Sequence, residues 1–156
     1  MSVSEASANK KIYADVKRQS LKPVDINVGD QVKPMNINLM PTIVASTAIA
    51  SRDFMPVHHD KDYALKQFAP DVFLNILSSN GFVSKFLTDW AGPEAWVKKI
   101  SIKLGVPAVP YQVLRFTGAV TSKKNVGNEC VIEVSVQAAN DSGNHATGIA
   151  TITLPV

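Results

Sequence analysis

At 156 residues, with 46% hydrophobic and 19% charged composition, the chain is expected to form one domain that buries most of the surface its unfolded form exposes. No apolar run approaches the roughly 18 residues of a membrane span, and MSVSEASANKKIYADVKRQS carries no apolar segment behind its charges, so neither a membrane anchor nor a secretory signal is expected and the expected location is cytoplasmic. The isoelectric point near 9.0 does not signal nucleic-acid binding: the whole excess of three positive charges comes from Lys10, Lys11, Lys17, Arg18 and Lys22 against Glu5 and Asp15, leaving residues 23–156 balanced and without a basic face for a phosphate backbone.

Residues 1–22 read as a basic tail, flexible or docked on a partner, ahead of a single domain over 23–156. DINVGDQVKPMNINLM then shows short alternating stretches interrupted by Gly29 and Pro34, the pattern of an edge strand. After Pro41, TIVASTAIASRD sets Ile43, Val44, Thr47 and Ala48 on one stripe of a short helix, while its β-branched residues leave a strand open.

The next stretch, SRDFMPVHHD, concentrates titratable groups. Five residues apart, Asp53 and His58 would stand about 140° from each other on a helix and on opposite faces of a strand. Pro56 has no N–H and a fixed φ, and it drives Met55 toward an extended conformation, so the segment can curl and bring both side chains to one point. The alternative is a solvated loop in which Asp60 or Asp62 caps a short helix running to about Phe68. A metal site built on His58, His59, Asp60 and Asp62 is not expected, because no further His or Cys lies at ligand spacing and His145 and Cys130 stand alone on strands. His59 reads as a structural or supporting residue and Cys130 as a small buried hydrophobe.

Pro70 suits the first turn of a longer helix, striped by Val72, Ile76, Val83, Leu87 and Trp90, widened by Phe73, Leu77 and Phe86, and ending near Ala91-Gly92-Pro93. Gly81 in its interior suggests close backbone approach to a sheet or a ligand. From Trp96 the period becomes two: Ile100, Ile102 and Leu104; Leu114, Phe116, Gly118 and Val120; Cys130, Ile132, Val134, Val136 and Ala138; and finally HATGIATITLP. The turns are SKKNVGN and NDSGNH. This order predicts an α+β architecture, an antiparallel sheet wrapped around one apolar helix.

SRDFMPVHHDKDYA resembles the signature loop of the MaoC-like, R-specific enoyl-CoA hydratases, G-D-x-N-P-[LIV]-H-x-D, with Asp53, Pro56, Val57, His58 and Asp60 on the pattern, Arg52 in place of its glycine and Met55 in place of its asparagine. TIVASTAIASRDF, VHHD, DVFLNILSSNG, TDWAGP and KLGVP further resemble the small subunit of heteromeric bacterial steroid side-chain enoyl-CoA hydratases. The resemblance covers the chain from about Pro41 onward. It implies a hotdog fold and an Asp53/His58 dyad that hydrates a 2-enoyl-CoA, with a bulky steroid-type acyl group. Coenzyme A would enter as part of the substrate, with no cofactor and no metal. A second hotdog chain is the implied partner, a homodimer being the alternative.

The family's His-Gly pair at the start of the central helix, whose glycine amide polarises the thioester oxygen, appears here as Phe73-Leu74, so the backbone N–H of Leu74 or Asn75 is expected in that role. Its Pro-Gly-Asp appears as Pro110-Tyr111-Gln112, a change in the pocket wall. Lys98, Lys99 and Lys103 are candidates for coenzyme A phosphates, although Lys99 and Lys103 also suit a solvent face. A hotdog thioesterase and a non-catalytic supporting subunit share the fold, and the Asp-x4-His loop favours hydration over both.

Overall fold

The computed structural model describes residues 19–156. Most of the basic tail therefore lies outside the described residues. Its last part is docked: the Leu21 N–H donates to Ala91 O at 2.8 Å, and the Glu94 N–H donates to Ser20 Oγ at 2.8 Å.

Five antiparallel strands form one sheet in the order β1-β3-β4-β5-β2, with β1 over Met35–Asn38, β2 over Trp96–Leu104, β3 over Val113–Val126, β4 over Glu129–Asn140 and β5 over Gly143–Pro155. β1 lies at one edge as expected, and residues 29–32 already pair with β3 before Lys33-Pro34 interrupts the ladder. Three helices precede β2: α1 (Pro41–Ala50), α2 (Lys61–Lys66) and the central α3 (Ile76–Ala91). Helix is thus the state adopted by 42–50, with Val44 and Ala48 fully buried on its inner stripe.

The core forms where α3 lies in the trough of the sheet. Val83, Phe86, Leu87 and Ala91 meet Leu114, Phe116 and Val120 of β3 and Cys130, Ile132, Val134, Val136 and Ala138 of β4. Phe86 packs on Phe116 with ring centroids 6.0 Å apart. A smaller cluster of Val44, Val57, Ala64 and Val72 lies beneath the Asp53–His58 loop and holds α1 and α2 to it.

Four local expectations need correction. α3 begins at Ile76, not at Pro70, because the Asn75 side chain caps the helix by accepting from the Ser78 N–H at 2.8 Å and Leu74 is tied to Ala108 instead of a helical turn. Val72 and Phe73 pack ahead of the helix, while Ile76 and Leu77 are about half exposed. The turn after β3 is only Gly127-Asn128: SKKNV continues the strand, and Gly127 takes φ 59°.

Gly81 is exposed with nothing near its missing Cβ, so it makes no close approach. Other glycines are tight: Gly92 against Ser20, Gly105 against Asn144 O, and two within the sheet. Gly118, Val136, Gly148 and Ile102 form one row across β3, β4, β5 and β2, and a Cβ on Gly148 would stand 2.0 Å from Ser101 O, one on Gly118 2.4 Å from Ser135 O. Missing side chains along this row let the strands bend around α3. Gly81→Ala should therefore raise stability by about 0.5–1 kcal/mol through helix propensity, whereas Gly148→Ala should lower it, as read by urea denaturation of the two variants against the parent chain.

Candidate active site

The chain reaches Asp53 through a helix C-terminus that closes on itself. The Arg52 N–H donates to Ile49 O and the Asp53 N–H to Ala48 O, each at 2.9 Å, and Arg52 sits at φ 58° between them. This is the paired-bond ending that usually places glycine at the left-handed position, where the signature loop also has glycine. Pro56–His58 then form one 3₁₀ turn whose Val57 is buried in the satellite cluster, and Asp60 caps α2 by accepting from the Tyr63 N–H at 3.0 Å. Val57 anchors the curl that Pro56 permits, and the two side chains meet: His58 Nε2 lies 3.3 Å from Asp53 Oδ2.

The surroundings orient both groups. The His58 Nδ1–H donates to Phe73 O at 2.7 Å, and the Phe73 ring meets the imidazole edge-on at 5.1 Å. With Nδ1 committed to the Phe73 carbonyl, the ring presents Nε2 to the carboxylate. Asn75 Nδ2 donates to Asp53 Oδ2 and to Ser51 Oγ, both at 2.9 Å, and the Met55 N–H lies 3.3 Å from Asp53 Oδ1. The Asn75 hydrogen bond is the main cause holding the Asp53 carboxyl below its ordinary range, with the Met55 amide and His58 adding to it against a smaller desolvation effect.

The pair opens into a cleft of about 320 Å³ bounded by Phe73, Leu74, Asn75 and Ile76 on one side and by Leu104, Gly105, Val106 and Pro107 on the other. Of the two amides expected to face a thioester oxygen, that of Leu74 already donates to Ala108 O at 2.9 Å. The Asn75 amide stands at the N-terminus of α3, where backbone N–H groups and the helix dipole favour negative charge.

His59, at the end of the 3₁₀ turn, is exposed. Lys98 is paired with Glu129 at 3.0 Å, and Lys99 and Lys103 are exposed on β2. Sequence reasoning missed the side chains of Asn75, Ser51 and His145. The Asn-x-x-Ser start of α3 was a readable capping signal; nothing local marked His145, which lines the cleft although strand alternation would turn it outward. Among the described residues no three or more His, Cys, Asp or Glu side chains gather as a metal site, and no helix is long and apolar enough to cross a membrane.

No family model matches the chain. It is 43% identical over 114 residues, 73% of this chain and 85% of the relative, to the 3-oxo-4,17-pregnadiene-20-carboxyl-CoA hydratase beta subunit of Mycobacterium tuberculosis. The ChsH1–ChsH2 complex of the same organism contains a chain that superposes with a TM-score of 0.77 at 41% identity, covering 82% of this chain and 98% of that one. The (R)-hydratase of A. caviae involved in PHA biosynthesis superposes at 0.75 with 19% identity over 84% of this chain and 98% of its own, a likeness of fold. With an Asp-x4-His loop closed into a pair, a five-stranded sheet curved around one helix, and this identity over most of both chains, the protein belongs to the MaoC-like enoyl-CoA hydratases of hotdog fold.

Proposed function

We propose that this chain supplies the catalytic dyad of a hydratase that adds water across the double bond of a 2-enoyl-CoA thioester. The observation that carries the reading is the 3.3 Å approach of His58 Nε2 to Asp53 Oδ2, with Nδ1 committed to Phe73 O. A carboxylate oxygen and an imidazole lone pair are both acceptors, so a water that donates one proton to each is gripped with its own lone pairs outward. Its oxygen bonds to C3 of the enoyl group as one proton passes to the dyad, and the C2–C3 π electrons move toward the thioester oxygen. In this reading the Asn75 backbone N–H at the start of α3 holds the resulting enolate oxygen. Return of a proton from the dyad to C2 completes the 3-hydroxyacyl-CoA and restores both groups.

A positioned acid–base group is worth about 10²–10⁴ in rate and an aimed N–H about 10²–10³, which together carry the reaction without a metal. Asp53→Ala and His58→Ala should each lower turnover by at least about 10²-fold, measured as loss of the enoyl chromophore, with unfolding transitions close to the parent's, since both groups lie outside the main core. Parent turnover in folded variants would sink the assignment, and release of free coenzyme A would mark a thioesterase.

Asn75→Ala removes the chief influence that keeps the Asp53 carboxyl low. The charged form then loses support, its pKa rises, and activity lost as pH falls through that pKa is lost earlier. The acid limb of kcat against pH should therefore move to higher pH, and an unmoved limb would contradict Asp53 as the ionised partner.

The relatives support a reading of the acyl group and the assembly. A cleft of about 320 Å³ lies at the small end for a drug-sized ligand; Ile76 of its lining is half exposed, and Phe54, Met55 and Leu77, next in the chain to lining residues or one removed, are half or more exposed. A second, different hotdog chain covering this apolar rim would complete a tunnel for a bulky steroid-type acyl group, as the beta-subunit relative and the two-protein complex suggest. Co-expression with candidate partner chains should give a heteromer that turns over steroid-type enoyl-CoA more efficiently than crotonyl-CoA. A fully active homodimer of this chain alone, with no gain from any partner, would overturn the heteromer.

A further inference from the structure

His145 is 2% exposed, lines the cleft, and takes no direct part in the water grip. Its position on β5 is irregular. The register between β4 and β5 shifts between Ala138 and Ala139, which pair with Ala146 and Asn144, so His145 is the extra residue of a bulge. Along β5 the core face is taken by Ala146, Ala150, Ile152 and Leu154, and alternation would send His145 to the other face; the bulge turns it inward beside Ala146. The bulged segment is also bolted to the cleft wall, with the Gly105 N–H on His145 O at 2.8 Å and the Val106 N–H on Asn144 O at 3.0 Å.

The ring makes two directed contacts. Nδ1 lies 2.8 Å from Val106 O, an acceptor only, so Nδ1 carries the proton. Nε2 lies 2.9 Å from Ser79 Oγ and, in the neutral ring, accepts the serine hydroxyl. That hydroxyl also stands 3.1 Å from Asn75 O, but this carbonyl already accepts the Ser79 N–H at 3.1 Å, so giving the hydroxyl proton to His145 leaves no orphan. Burial holds the imidazole neutral. Ser79 therefore ties the first turn of α3 to the 105–107 wall, and that turn begins with Asn75, whose carboxamide supports Asp53.

We propose that His145 is a positioning residue of the hydration site, acting through Ser79 to fix the first turn of α3 and with it the Asn75 carboxamide on which the Asp53 carboxylate rests. This rests on the hydratase reading for its kinetic consequence, though not for its geometry. The titratable group that meets Asp53 is His58; His145 itself meets the Val106 carbonyl and the Ser79 hydroxyl, and its effect on Asp53 passes through Asn75.

Two substitutions separate positioning from packing. Gln at 145 extends an amide oxygen to the Nε2 position and can accept from Ser79, whereas Asn reaches only the Nδ1 position and keeps the Val106 contact alone. The variants Ser79→Ala, His145→Asn, His145→Gln and the Ser79→Ala/His145→Asn double are made in the full chain, with its partner where one is needed for activity. The Asp53 carboxyl is titrated by ¹³C NMR, and kcat and KM are measured on an enoyl-CoA. Ser79→Ala and His145→Asn should each raise the Asp53 pKa and lower kcat about tenfold with little change in KM; the double should be no worse than either single, and His145→Gln should stay near the parent.

Unchanged Asp53 titration in folded Ser79→Ala, multiplicative losses in the double, or His145→Gln as damaged as His145→Asn would each overturn the proposal. Should His145→Asn fail to fold, Ser79→Ala and His145→Gln still decide it. A parent chain inactive on every enoyl-CoA would fell the hydratase reading, while the Asp53 titration would continue to test the tie.

Discussion

The two ends of the Asn75 carboxamide are committed to different parts of the molecule, and the site depends on that division. Its oxygen accepts from the Ser78 N–H and starts the central helix; its nitrogen donates to Asp53 and Ser51 on the preceding loop. A helix N-terminus leaves unpaired N–H groups and a partial positive charge. Placing the cap there sets a helix end beside the carboxylate and ties the loop to a helix packed by Phe86 and Leu87 deep in the core. The dyad is thereby oriented from both sides: Asp53 by the cap of α3, His58 by the carbonyl of Phe73 just ahead of it.

The same geometry explains why the sheet must bend. A flat sheet would meet α3 along one line, whereas the row from Gly118 through Gly148 brings backbone where side chains would block it and lets β2 and β5 wrap the helix. That wrapping carries the Leu104–Pro107 segment over the start of α3 and makes the second wall of the cleft. Residues that never touch a substrate thus determine whether the cleft exists.

Much of this was legible in the residues. Pro56 and the Asp-x4-His spacing pointed to a curled loop, the apolar stripe of α3 and the period-two runs after Trp96 pointed to a sheet around one helix, and Gly92 at φ 94° ends that helix where the pattern stops. These are local signals, carried by backbone preference and by the periods 3.6 and 2. The misreadings were also local. Pro70 looked like a helix start because a proline is compatible with one, yet whether the helix begins there depends on which residue finds a capping partner, and Asn75 finds both its own helix and Asp53.

Local preferences along the chain were enough to specify the classes of element, the apolar faces that had to meet, and the loop able to bring Asp53 to His58. Tertiary structure alone decided which amide at the start of α3 is engaged by Ala108, which glycines are crowded, and that His145 faces inward. The physical reason is common to all three. Each depends on strand register and on the approach of segments distant in the chain, and a one-residue bulge between β4 and β5 is enough to reverse the face a side chain presents without changing the local pattern that sequence reasoning reads.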